Sequence, residues 1–197
     1  MLGLKFTTDP KWVNIVESNI DEILTDHAFC EQKAASNSIS LIVHYPEHTE
    51  MVSELVRIAQ EELTHFGQVH DLIIKRGGVL GKERKDDYVN ELMQFIKGEK
   101  GSHKTREEAL VDRLLFSAMI EARSCERFRV LSENIKDPEL AGFYRDLMIS
   151  EANHYTVFIT FARKYATSVD VDKRWKEFLE YEAGVISRYG KKKEIHG

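Results

Sequence analysis

Cysteine, proline and glycine are scarce in this chain of 197 residues, which contains 2, 3 and 11 of them. The two cysteines, Cys30 and Cys125, form no Cys-x-x-Cys motif, which excludes rubredoxin-type iron sites and zinc ribbons. Each lies in a helical pattern, so we expect free, buried thiols. So few prolines and glycines argue against collagen-like, low-complexity and turn-rich all-β chains.

Long hydrophobic runs are also missing. No segment reaches the ~18 apolar residues of a membrane span, and the N-terminus has no apolar signal region. We therefore expect a cytoplasmic protein with no membrane partner. The formal net charge of −5 provides no general attraction to nucleic acid, so a nucleic-acid partner would need a local basic patch.

Helical periodicity runs through most of the sequence, and no strand-like alternation persists. Pro46, Gly77-Gly78, a capping-box spacing from Thr105 to Glu108, and Asp137-Pro138 mark the ends of helices. The predicted helices span 11–45 with a possible break near Ser18-Asn19, then 47–76, 86–97, 105–134, 138–166 and about 170–190. The pattern predicts an all-α helical bundle in one domain over 1–197, with a bundle core at about 10–166 and a C-terminal helix at about 170–190.

Each of the four long helices carries a glutamate near the middle of its apolar stripe: Glu31, Glu62, Glu121 and Glu151. An uncompensated buried carboxylate is costly, and four that face one another would also repel. The stripes carry no lysine or arginine to compensate them. Two divalent cations would neutralise the four carboxylates.

The second glutamate of each helix pair begins a Glu-x-x-His motif, with His65 following Glu62 and His154 following Glu151. Residues three apart share a helix face, so both side chains can reach one ion. Glu31 and Glu62 are 31 residues apart, and Glu121 and Glu151 are 30 apart, as in a duplicated helix pair. The spacing predicts a dinuclear site with six protein ligands. Carboxylates with imidazoles suit iron, with manganese also possible, better than zinc or copper.

Two further polar residues leave alternatives open. His27 lies one turn before Glu31 and is expected to be a satisfied core histidine, although it could instead support a ligand or be a surplus ligand. Glu126 could pair with Arg123 or Arg127, or compete with Glu121 as a ligand.

The ligand pattern resembles the ferritin-like superfamily of di-iron carboxylate proteins, which implies a ferritin-like four-helix bundle with additional short helices. Longer strings resemble the MiaE family of tRNA 2-methylthio-isopentenyladenosine hydroxylases. They are DHAFCEQKAA at 26–35, AQEELTHF at 59–66, LGKER at 80–84, IEARSCERF at 120–128 and SEANHY at 150–155.

This resemblance implies a non-haem di-iron monooxygenase. It would use O₂ and two electrons to hydroxylate the isopentenyl side chain of the modified adenosine next to the tRNA anticodon. The implied iron ligands are Glu31, Glu62, His65, Glu121, Glu151 and His154. A reductase or ferredoxin-type donor would supply the electrons, because the chain has no flavin or nicotinamide motif. Candidate tRNA-binding residues are Lys82, Arg84, Lys85, Arg123 and Arg127.

Three alternatives remain. A ferritin- or rubrerythrin-like protein would handle iron or peroxide with the same ligands. A di-metal oxygenase could act on a small molecule. A metal-free helical interaction module ranks last, because it would have to bury four glutamates without counter-charge.

Overall fold

The computed structural model describes residues 2–98, 105–189 and 194–195, and within these ranges it contains seven helices and no strand. The helices are α1 (Trp12–Ser18), α2 (Ile20–His44), α3 (Thr49–Lys75), α4 (Asp87–Gly98), α5 (Arg106–Asn134), α6 (Pro138–Tyr165) and α7 (Val171–Tyr189). The all-α prediction is confirmed, and the predicted break falls at Asn19, between α1 and α2. The predicted last helical residue, Gly190, lies outside the described residues.

None of the described helices combines the length and the apolarity that crossing a bilayer requires.

The chain divides into two compact units, so the prediction of one domain over 1–197 stays a prediction. The α2–α3 unit comprises residues 14–85 and 194–195. The α5–α6 unit comprises the described residues of 2–13 and 86–189, and it also contains α4 and α7.

The α2–α3 unit is an antiparallel helix pair joined by the short connection 45–48. Buried stripes from both helices meet in its core, with Leu24 and Leu41 from α2 and Leu55 and Val69 from α3. Helix α3 ends at Lys75, and two residues later Gly77 has a φ of +77°, a conformation that residues other than glycine rarely adopt. The Gly78 amide then donates to the Ile73 carbonyl at 3.0 Å, which closes the helix end.

The α5–α6 unit is built around a second antiparallel pair, whose N-termini are capped as the sequence predicts. The Thr105 hydroxyl accepts from the Glu108 amide, and the Glu108 carboxylate accepts from the Thr105 amide. Asp137 caps α6, with Pro138 in its first turn. Phe95 of α4 packs edge-on against Phe178 of α7, with ring centroids 4.9 Å apart.

Glu107, in the first turn of α5, anchors the connection between α6 and α7. Its carboxylate accepts hydrogen bonds from the Thr167 and Ser168 amides at 2.6 and 2.7 Å. It also accepts hydrogen bonds from the hydroxyls of both residues. Hydrogen bonds from Ser168 and Thr167 lower the pKa of Glu107 from 4.5 to about 2. A carboxylate whose pKa is lowered by folding stabilises the folded state above its unfolded pKa, and this contribution disappears as pH falls through the folded pKa.

We expect Glu107→Gln to lower the melting temperature by a few degrees at pH 7, because an amide cannot replace the carboxylate as acceptor at both oxygens. The gap to the wild type should close as pH falls from about 4.5 to about 2. Thermal unfolding monitored by circular dichroism across this range provides the measurement. Glu133→Gln, at an exposed position of the same helix, is the matched control. A gap that does not change with pH would contradict the assignment.

Candidate metal centre

The α2–α3 unit brings together three of the predicted ligands. Glu31 projects from the middle of α2, while Glu62 and His65 project from α3 one turn apart, and both carboxylates are buried. His65 Nδ1 lies 3.4 Å from Glu62 Oε2 and 3.8 Å from Glu31 Oε2. One ligand atom from each of the three residues lies within 4.8 Å of the other two. We call these residues the Glu31 triad.

The α5–α6 unit brings together the other three. Glu121 projects from α5, and Glu151 and His154 project from α6, and all three side chains are buried. His154 Nδ1 lies 4.0 Å from Glu121 Oε2, and the three ligand atoms again lie within 4.8 Å of one another. We call these residues the Glu121 triad.

The two triads share the placement of the histidine relative to the glutamate on the partner helix. In each, the histidine of Glu-x-x-His directs Nδ1 toward Oε2 of the glutamate on the partner helix, at 3.8 Å in one and 4.0 Å in the other. The agreement is expected from the Glu-x-x-His spacing that both pairs share, because a residue three positions along a helix returns to the same face. The repeat seen in the sequence is therefore also a repeat of side-chain placement.

The donor set of each triad fits a metal ion. Ligand atoms bound to one ion at roughly 2.0–2.2 Å lie at most about 4.4 Å apart, so the 4.8 Å limit that holds in each triad is close to what one ion would span. Two buried carboxylates side by side repel, and a cation between them would remove that penalty. Two oxygen ligands with one imidazole nitrogen are compatible with iron or manganese.

Comparison with known proteins decides the family. The chain matches the family described as tRNA-(MS[2]IO[6]A)-hydroxylase (MiaE) over residues 2–197. The chain belongs to the MiaE family.

Named relatives of this MiaE-family chain agree with the assignment. A tRNA 2-(methylsulfanyl)-N(6)-isopentenyladenosine(37) hydroxylase from Pseudomonas putida strain KT2440 is 37% identical over 164 residues, which cover 83% of this chain and 77% of the relative. A protein of the same name from Salmonella typhimurium strain LT2 is 27% identical, covering 85% of this chain and 77% of that one.

A solved structure confirms the ferritin-like fold class. It is described as protein 43 with aldehyde deformylating oxygenase activity, from Synechococcus. It matches with a TM-score of 0.87 and 29% sequence identity, and the match covers 98% of this chain and 95% of that one.

The two residues with open alternatives now have contacts. His27 is buried, and its Nε2 lies 2.6 Å from Glu31 Oε1, so it contacts a predicted ligand directly. Glu126 pairs with Arg123 at 2.9 Å and accepts from the Thr8 amide and hydroxyl, which confirms the ion-pair alternative. Both cysteines are thiols that form no disulfide, but only Cys125 is buried, whereas Cys30 is partly exposed.

Three of the candidate tRNA-binding residues of this MiaE-family chain, Lys82, Arg84 and Lys85, are exposed on the segment that follows α3. Arg84 pairs with Glu22 at 2.8 Å, and the neighbouring Glu83 pairs with Lys33 at 3.2 Å. The groove between this segment and α2 has a volume of about 560 Å³ and is lined by three acidic and two basic side chains, Asp21, Glu22, Glu83, Lys82 and Arg84. This balance of charge does not favour a phosphate within the groove itself.

The other two candidates, Arg123 and Arg127, are not on the surface and so cannot contact a docked tRNA. Both are buried, at 0% and 3% exposure. Arg123 pairs with Glu126 at 2.9 Å and with Glu182 of α7 at 2.5 Å. Arg127 lies 4.2 Å from the centroid of the Trp12 ring, and burial lowers its pKa to about 10. These arginines lie inside the α5–α6 unit. Sequence patterns do not reveal this, because Glu182 lies 59 residues beyond Arg123.

We expect Glu62→Ala and Glu151→Ala each to reduce the iron content of the loaded protein by at least half, because each removes a carboxylate from one triad. Metal analysis after anaerobic loading and desalting gives the iron-to-protein ratio, and circular dichroism checks that the helices persist. Glu61→Ala, the exposed neighbour of Glu62, is the matched control. Full iron content in either triad variant would refute the ligand assignment.

Proposed function

We propose that this chain hydroxylates the isopentenyl side chain of 2-methylthio-isopentenyladenosine next to the tRNA anticodon. The reaction would use two iron ions, O₂ and two electrons. Membership of the MiaE family over residues 2–197 carries the proposal. The names of the two relatives, at 37% and 27% identity, support the choice of substrate.

The two triads support the proposed cofactor. We assign one iron ion to Glu31, Glu62 and His65 and the other to Glu121, Glu151 and His154, and we take the ions to act as a pair. Iron, when bound, would supply the activation of O₂ that hydroxylation of a C–H bond requires. Manganese would satisfy the same donors, and metal analysis of protein from its natural source would distinguish the two.

The contribution of the protein residues is to bind the metal, fix its ligands and exclude water. Rigid helices hold the six side chains, so ligand geometry does not depend on mobile loops. Buried apolar neighbours extend each stripe beyond the ligands, as Leu55 and Val69 do on α3 and Leu147 and Phe158 do on α6. This surrounding reduces solvent access, which strengthens the electrostatic interactions of the carboxylates and protects reactive species from water.

An external protein is the proposed source of electrons, of the reductase or ferredoxin type. The adenosine next to the anticodon belongs to a single-stranded loop, whose bases can be splayed out and bound without opening a duplex. The isopentenyl group could then enter an apolar pocket while the remainder of the tRNA stays outside.

The test is a defined reaction. The iron-loaded protein is reduced, mixed with O₂ and tRNA that carries the methylthio-isopentenyl modification, and the digested nucleosides are weighed by mass spectrometry. We expect the hypermodified adenosine to gain one oxygen atom. Unchanged nucleoside with O₂ still consumed would overturn the proposed substrate.

The structural neighbour favours a second candidate, a di-metal oxygenase that acts on a small molecule. The neighbour is named for aldehyde deformylating oxygenase activity and matches 98% of this chain. An aldehyde offered in the same assay distinguishes the two. Loss of aldehyde without any gain of oxygen on tRNA would favour this candidate.

We expect Lys82→Ala combined with Lys85→Ala to weaken tRNA binding by roughly 10-fold at low salt, since each exposed lysine can neutralise a phosphate. The slope of log affinity against log salt should also fall by about 1–2. Fluorescence anisotropy with tRNA across a salt series measures both. The matched control is Lys173→Ala combined with Lys176→Ala on α7, which removes the same charge at two other exposed positions. Equal losses in the two double variants would contradict a docking role for 82–85.

A further inference from the structure

We propose that His27 is a positioning residue for Glu31, which determines which carboxylate oxygen faces the metal. The inference rests on the proposed function in one respect, because it takes Glu31 to be an iron ligand. Neither the family match nor the names of the relatives assigns His27 a role.

The contact is short and completely buried. His27 and Glu31 lie four residues apart on α2, so their side chains share one face of the helix. The imidazole has 0% exposure, and its Nε2 lies 2.6 Å from Glu31 Oε1. Because an ionised carboxylate only accepts hydrogen bonds, the proton of this bond lies on Nε2, and the imidazole donates.

The two oxygens of Glu31 therefore have different neighbours. Oε1 is held by His27, whereas Oε2 lies 3.8 Å from Nδ1 of His65 within the Glu31 triad. A carboxylate on a three-bond side chain can rotate and exchange its oxygens, and a donor fixed on one oxygen opposes that rotation. His27 thus orients Oε2 toward the site where we place the ion. Hydrogen bonds that orient a ligand typically contribute 10–100-fold to metal affinity.

The Glu121 triad provides an internal comparison. The residue four positions before Glu121 is Ser117, which is also buried. Its hydroxyl donates to the Arg113 carbonyl at 3.0 Å, and a serine hydroxyl has only one hydrogen to donate. This hydrogen bond of Ser117 is thus with the backbone of its own helix, whereas that of His27 is with the carboxylate of Glu31.

The experiment is a cobalt(II) titration of the full chain, followed by the visible absorption bands of the bound ion. We expect the wild type to bind two ions and His27→Ala to bind one of them roughly 10–100-fold more weakly. His27→Gln retains an N–H donor at a similar reach and should recover most of the affinity. Ser117→Ala, the matched control at the equivalent position, should bind both ions with wild-type affinity.

A second readout separates positioning from folding. If His27 acts on the metal ligand, His27→Ala reduces the rise in melting temperature that cobalt produces, and His27→Gln restores that rise. Wild-type cobalt affinity in His27→Ala would overturn the inference. Equal loss in His27→Ala and His27→Gln would also overturn it, because it would show that the imidazole does more than donate a hydrogen bond.

The titration also separates this inference from the proposed function. A wild-type chain that binds no cobalt would overturn both. If the wild type binds two ions and the His27 variants bind them with the same affinity, only the role of His27 is overturned.

Discussion

The structure depends on carboxylates that are buried in the middle of helices. Glu31, Glu62, Glu121 and Glu151 are each at most 4% exposed, and ionised side chains in such places require compensation. The helix repeat limits how compensation can be arranged, since residues three or four apart share a helix face and can reach one ion. A long rigid helix then holds each glutamate among apolar neighbours. Because burial makes these carboxylates costly without a cation, we propose that metal ions compensate them.

Much of the fold could be predicted because its signals are local. Stripes at steps of three and four, the Thr105 capping box and the glycines after α3 located the helices to within a few residues. The members of each triad were also predictable, since one helix pair with a short connection brings them together. Arg123 was not, because its partner Glu182 lies 59 residues further along the chain. A charged residue looks the same in sequence whether it faces water or a buried partner.

His27 shows the intermediate case. Its position one turn before Glu31 was visible in the sequence, but the pattern alone could not distinguish a core histidine from one that supports a ligand. The structure adds the 2.6 Å contact between its Nε2 and Glu31 Oε1, and our proposal for His27 rests on that contact. At the equivalent position of the other helix pair, the Ser117 hydroxyl donates to the Arg113 carbonyl.

Diffraction from iron-loaded crystals, collected on both sides of the iron absorption edge, tests the central claim most directly. The account predicts two anomalous peaks per chain. One should lie among Glu31, Glu62 and His65, and the other among Glu121, Glu151 and His154. A single peak, or peaks bound by other residues, would contradict it.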